Sequence, residues 1–496
     1  MQDSGRSIEK STIKAAYPFI DTMAVERVRP SIRVLTPEQR ELVHATALDI
    51  LKRDGIRVDD DSARKLFGDA GCRPCGNRGM RIPSELIDWT IASAPCRFEM
   101  FDRQGNFAFA LNGDGSRETV FGVGVTNLYY QNPKDDTVVP FGRRETAVST
   151  QLGNALEEYD LVATPGAIRD LPVERADILG ALEMAANTRK PLVLLIDGPE
   201  DLKVVFDLYE HLFGDLSKKP FIIPYFNPIT PLVLNAETCG KMRETVLRGL
   251  PLIFSNYGMS GATTPATPAA TLALLTAELL AGLTYSQLLK KGTPVVLGSL
   301  PAQFDMRHAG SVLSPQTILL NLACAEMMHF YRIPHVGTSG SGTGWAADIL
   351  AAGTLWMNHL TSCLGKVGMA PFVGGNFDSL VFSPTLIVYA DDIIRQARRF
   401  AKGFPLDGEA MGLEEISQVG PGGNYLTSAQ TLRMCRDKSQ RSGIWPVYTV
   451  EKWQAAGRPK AEKILREKTM AAIDGLEAPD DRDDLIAKGE AFVSGL

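Results

Sequence analysis

A β/α (TIM-type) barrel with helical N-terminal and C-terminal extensions is the fold this 496-residue sequence predicts. Beyond about residue 155, short apolar runs alternate with longer amphipathic ones, the repetition expected of a parallel sheet with helical crossovers. Most of the runs are rich in β-branched or aromatic residues, and they tend to end in Gly, Pro, Asn or Ser. The open-sheet rival is disfavoured because no G-x-G-x-x-G follows the first strand and no G-x-x-x-x-G-K-[ST] occurs.

Residues 1–120 read as a helical and irregular N-terminal region. Thr36, Pro37 and Gln39 have the form of a capping box with Pro at the first helical position; LVHATALDILKRD continues the helix and Gly55 ends it. The barrel is expected over 121–404, with strands at 160–166, 191–196, 220–228, 251–258, 294–301, 334–340 and 368–375. An eighth strand is expected in VFGVGVTN or after Asp378. RADILGALEMAANTRK and AETCGKMRETVLRG lie between strands as helices. The segment AATLALLTAELLAGLTYSQ is nearly long enough to span a bilayer, but Glu278 at its middle favours a helix buried against the barrel. From 405 to 496 charge rises and the strand pattern fades, giving a C-terminal helical extension packed on the barrel.

The formal charge of -6 and the absence of basic blocks argue against nucleic-acid and membrane partners. The N-terminus MQDSGRSIEKSTIKAAYPF lacks a secretory apolar stretch, so a cytoplasmic location is expected. Seven scattered cysteines, Cys435 among them, read as reduced thiols. Cys72 and Cys75 form a C-x-x-C pair, but without a second pair or a nearby histidine no intrinsic metal is expected.

Active sites of such barrels lie at the C-terminal ends of the strands. Those ends carry Tyr225, Phe226, Asn227, Asn256, Tyr257, Ser299, Phe304, Asp305, His335, Thr338, Ser339, Phe372, Asn376, Phe377 and Asp378, with Trp345 just beyond. Aromatic and neutral polar groups predominate, and no histidine cluster, nucleophile elbow or convincing carboxylate pair is apparent. Such a mouth suits a cation recognised by ring faces, each contributing on the order of 0.5–2 kcal/mol. Tyr225, Phe226, Asn256, Tyr257, Phe304, Arg307, His335, Thr338, Ser339 and Trp345 are therefore the candidate substrate-binding residues. Arg307 could pair with a substrate carboxylate or with Asp305, and His335 could orient substrate or be structural.

The block NYGMSGATTPATPAATLALLTAELLAGL, followed by PVVLGSLPAQFDMR and later by QVGPGGNYLTSAQTLR, resembles the trimethylamine:corrinoid methyltransferase family over roughly residues 30–475. The resemblance implies a barrel enzyme that passes a methyl group to a corrinoid (cobalamin) presented by a separate small corrinoid-binding protein, and a homo-oligomeric assembly. The ordinary twenty residues throughout make the chain similar to the subgroup without pyrrolysine, which includes glycine betaine methyltransferases. Gly344-Trp345-Ala346 stands where relatives often have D-[SA]-K, and Asn424 where many have His. A quaternary amine leaves as a neutral amine and needs no general acid, so glycine betaine is the favoured donor. Trimethylamine, choline, carnitine and proline betaine are alternatives, as is a noncatalytic quaternary-ammonium binding protein. In VGTSGSGTG the glycines either let a flat corrinoid approach the backbone or form only a tight strand-to-helix turn. Gly340, Gly342, Asn376 and Asn424 are the residues expected to face the corrinoid.

Overall fold

The structure is a computed structural model and describes residues 26–124, 126–307, 309–340, 342–434 and 442–495. The N-terminal stretch read for a secretory signal and Cys435 lie outside the described residues. Eight parallel strands close in chain order: β1 (Val120–Val123), β2 (Leu161–Ala163), β3 (Leu192–Leu194), β4 (Ile222–Phe226), β5 (Leu252–Ser260), β6 (Val295–Asp305), β7 (His335–Val336) and β8 (Met369–Val373), with β8 pairing back onto β1. The first strand thus comes from VFGVGVTN. The segment after Asp378 instead places Val381–Phe382 beside Tyr129–Gln131 in a separate small sheet. The helices are α1 (Arg143–Ala155), α2 (Val173–Asn187), α3 (Pro199–Phe213), α4 (Ala236–Leu247), α5 (Pro268–Leu289), α6 (Pro315–Tyr331), α7 (Ile349–Leu364) and α8 (Pro384–Lys402), one after each strand.

Alternation along the strands sorts the apolar residues into two layers. Ile223, Tyr225, Ile253, Val296, Val336, Met369 and Phe372 fill the barrel interior. Ile222, Phe226, Leu252, Phe254, Val295 and Leu297 join the larger core between strands and helices. A register shift between Ala370 and Val373 accounts for Met369 and Phe372, three apart, both facing inward. Beyond the barrel, β5 and β6 stay paired as far as Ser260 and Gln303. The chain then folds back, so that Gly310–Val312 runs antiparallel to the end of β6.

The apolar segment is α5, the one described helix long and apolar enough to cross a membrane, and it is 83% buried. Its Glu278 carboxylate accepts hydrogen bonds from Thr230 Oγ1 (2.9 Å), from Asn256 Nδ2 (2.8 Å) and from the Leu232 backbone N–H. Burial pushes this carboxyl upward and the three donors oppose the shift. A charge in the middle of an apolar helix is therefore the clamp between α5, β5 and the β4–α4 connection.

The described chain divides into two compact units. Ile32–Arg398 with Ser442–Leu496 contains the barrel. Helix Pro37–Arg53 begins in the capping box read from the sequence, with Thr36 and Gln39 bonded reciprocally. Gly55 follows it at φ +73°, where a side chain would collide with the Met80 carbonyl. The last helix, Arg482–Ser494, lays Gly489 against Leu182 of α2, and Arg103 grips Asp481 bidentately at 2.7 and 2.8 Å. The other unit, Met1–Ser31 with Arg399–Arg441, pairs Glu26–Val28 with Phe404–Leu406 and adds three short helices in which no residue is buried.

Glu278→Ala leaves three donors short of their acceptor, and each orphaned buried group costs about 1–3 kcal/mol. Urea unfolding should therefore show a loss of about 3 kcal/mol or more. A loss below about 1 kcal/mol would contradict the clamp.

Candidate active site at the barrel mouth

A cavity of about 380 Å³ opens at the C-terminal end of the barrel, lined chiefly by Tyr257, Leu300, Ser311, Thr338, Phe372 and Asp378. That volume lies at the small end of ligand pockets, roughly 300–1,000 Å³. Tyr257 of β5 and Leu300 of β6 are register partners and both project inward. Beneath them Tyr225 meets Phe372 edge-on, with ring centroids 5.1 Å apart. Asn321 of α6 fixes Thr338 by bonding both its N–H and its carbonyl at 3.2 Å. Ser311 enters on the returning strand after β6.

Among the described residues, Asp378 is the one carboxylate lining this cavity, and no Lys, Arg or His lines it. Burial alone pushes its carboxyl up to about 6; burial also raises the phenol of Tyr257, a hydrogen bond with Ser311 opposes that shift, and the Asp378 charge adds to it. The backbone here is unusual. Phe377, Asp378 and Ser379 all have positive φ, at 50°, 55° and 68°. Residues held in such sparsely populated regions cost of order 1–3 kcal/mol each and persist only when their surroundings dictate them. Four hydrogen bonds do so: Phe377 N–H to the Gly344 carbonyl (3.0 Å), Asp378 N–H to that of Gly342 (3.1 Å), Leu380 N–H to that of Phe377 (3.3 Å), and Asn127 Nδ2 to that of Ser379 (2.7 Å).

The structure brings Tyr257 and Thr338 together, with Tyr225 one layer below, and places the other candidates outside the cavity lining. Phe226 faces the helices, where Lys241 Nζ sits 5.9 Å from its ring centre, because it follows inward-facing Tyr225 by one residue. Asn256 precedes Tyr257 and likewise points outward, to Glu278 and to Ser299, whose Oγ donates to it at 2.6 Å. His335 is fully buried on the outer side of β7 with neither ring nitrogen bonded, and burial holds it well below the usual histidine range. It is a neutral packing residue. Ser339 Oγ is hydrogen-bonded to His359 Nδ1 of α7 at 2.7 Å, away from the cavity.

Phe304 and Arg307 are carried past the cavity by the long β6 hairpin, so Arg307 is exposed and neither residue is in the lining. Trp345 is 64% exposed. Its N–H is turned back onto Asp348, the cap of α7, which leaves the ring on the rim. Gly340, at φ +89°, is packed so that a Cβ would meet Val373 at 2.8 Å and His359 at 3.0 Å. Gly342 is buried and its N–H donates to the Gly375 carbonyl at 3.1 Å. Both glycines are packed against neighbouring residues in the connection between β7 and α7. Asn376 is buried as well, with Nδ2 donating to Gln131 at 3.0 Å. Asn424 belongs to the smaller unit, where its side chain accepts from the Leu426 N–H at 3.2 Å. Among the described residues no group of three or more His, Cys, Asp or Glu side chains is placed to hold a metal.

Sequence reasoning passed over Ser311, Leu300 and, above all, Asp378. Asp378 stood among the strand-end residues, but nothing in a single residue type announces a left-handed turn that aims it at the rings.

The family model for trimethylamine methyltransferase (MTTB) matches residues 2–494. Trimethylamine methyltransferase MttB1 of Methanosarcina acetivorans is 26% identical over 92% of this chain and 96% of its own. A glycine betaine methyltransferase of Desulfitobacterium hafniense is 26% identical over 94% and 97%. Among solved structures, the monomethylamine methyltransferase MtmB of Methanosarcina barkeri shares the fold, with a TM-score of 0.52 at 13% identity over 94% of this chain and 92% of that one.

The native state holds the Asp378 proton more tightly than an unfolded chain, whose carboxyl titrates near 3.8. The stability from that preference is complete below about pH 4 and is lost as pH rises through about 6. Asparagine also tolerates positive φ. Asp378→Asn should accordingly raise Tm at about pH 8 and leave it unchanged at about pH 4. Equal shifts at both pH values, by scanning calorimetry, would rule out a desolvated charge.

Proposed function

The chain belongs to the trimethylamine methyltransferase family of enzymes, and from that premise we propose that it takes a methyl group from a small methylated ammonium donor held in the cavity at the barrel mouth. The acceptor is a corrinoid carried by a separate small protein, in the cytoplasm. The observation that carries this reading is the cavity itself: among the described residues its lining offers rings, hydroxyls and one carboxylate, and no cationic side chain.

The residues around the cavity fit such an acceptor. The two hydrogen-bonded loops at the mouth leave Trp345, Ile349, Phe377 and Leu380 in water at 64%, 89%, 39% and 49% exposure. Large apolar side chains gathered on one rim mark an interaction surface, and these four would hold the apolar face of a corrin ring. The bound corrinoid supplies a reduced cobalt that accepts the methyl group.

What this chain does is bind, orient and exclude water. Tyr257 and Phe372 offer ring faces to the cation, and Asp378 balances its charge. Placing one methyl toward the open end supplies much of the barrier reduction through orientation. A quaternary nitrogen departs as a neutral amine and calls for no proton donor. A protonated tertiary amine also departs neutral, and Asp378 can accept its N–H.

Methyl transfer to free cob(I)alamin, followed by its absorbance across a panel of methylated amines, tests this. Turnover is expected with at least one donor. Removing one ring, worth on the order of 0.5–2 kcal/mol, makes Tyr257→Leu roughly 2- to 30-fold lower in kcat/KM. Folded protein that demethylates none of the donors, with free cobalamin or with a cognate corrinoid protein, would overturn the reading.

A further inference from the structure

Resting on that reading, we infer that Asp378 is a specificity-determining residue: as the counter-ion in the cavity, it selects methylated ammonium donors whose remaining arm is neutral or hydroxylated and rejects betaines. The donor's nitrogen and a betaine's carboxylate are separated by a few covalent bonds. In a cavity of about 380 Å³ both must share the space that Asp378 faces. A second carboxylate there would lose its water beside a like charge, and among the described residues no lining Lys, Arg or His would replace that water. Arg307, the cation just after β6 that could pair with such a partner, is exposed beyond the cavity on the hairpin. The groups that do remain for the donor's far end are the hydroxyls of Ser311 and Thr338, which suit an alcohol.

The placement of Asp378 is specific. Three consecutive left-handed residues, tied down from Gly342, Gly344 and Asn127, set it opposite Tyr257. A solvent-exposed rim charge needs no such turn. Burial leaves the carboxyl ionised at neutral pH, since it titrates near 6. Among the described lining residues its one titratable neighbour is Tyr257, whose phenol burial raises and which stays neutral there.

The test is titration calorimetry on the full chain with tetramethylammonium and with glycine betaine, alongside cob(I)alamin methylation from choline, trimethylamine and glycine betaine. The wild type should bind tetramethylammonium about tenfold or more tighter than glycine betaine. Asp378→Asn should erase that preference, weakening the plain cation about tenfold while leaving glycine betaine unchanged or tighter, and its effect on choline turnover should fall mainly on KM. Asp378→Gly, for which positive φ carries no strain, gives the same loss if the asparagine variant folds poorly. A wild type that prefers glycine betaine, or variants that keep the wild-type preference, would overturn the inference even if methyl transfer is observed. The expected binding preference without transfer from any donor would instead sink the methyl-transfer reading and leave cation selection standing.

Discussion

A closed eight-stranded barrel gives every strand residue one of two addresses, the sealed interior or the sleeve of helices. Neighbouring residues therefore part company at the very ends where chemistry occurs. Tyr225 goes in and Phe226 goes out; Asn256 goes out and Tyr257 goes in. The inward set makes an aromatic cavity, and the outward set holds the helices in place. Glu278 shows how much the second task involves, since one buried carboxylate gathers α5, β5 and the connection after β4.

That division explains why the mouth can be chemically sparse. The interior below it is filled by side chains such as Ile223, Val296 and Met369, so the cavity is a shallow chamber with a packed floor. Among the described residues, one charge lines this chamber. It arrives on a loop after β8, which lies outside the strand alternation and is held in a left-handed turn by bonds to the β7–α7 loop. The glycines of that second loop owe their presence to this packing: Gly340 is pressed against Val373 and His359, and Gly342 and Gly344 lend carbonyls to the turn. Rigid strands place the rings, and two mutually braced loops place the carboxylate.

Much of this was legible in the sequence. Apolar runs ending in Gly, Pro, Asn or Ser located the strands, and the Thr36 capping box and Gly55 stop are present as read. The parity of inward and outward residues was not legible, because a run buried on both faces carries no polar alternation to set its phase. Hence Phe226, Asn256 and His335 read as mouth residues in the sequence. The hairpin after β6 was hidden for a different reason. It depends on pairing Phe304 with Ser311, which withdraws Phe304 and Arg307 from the cavity and supplies Ser311 in their stead. Trp345 reads in the sequence as one of the rings for a cation, yet its backbone N–H bonds the Asp348 cap and its side chain is 64% exposed.

The central claim is that an ammonium group sits between ring faces and a single carboxylate at the floor of the mouth. A crystal of the full chain soaked in tetramethylammonium tests it most directly. The nitrogen should lie within about 6 Å of the Tyr257 and Phe372 ring centres, beside the Asp378 carboxylate. A cation found instead on the exposed face of Trp345, with the chamber holding only water, would contradict the account.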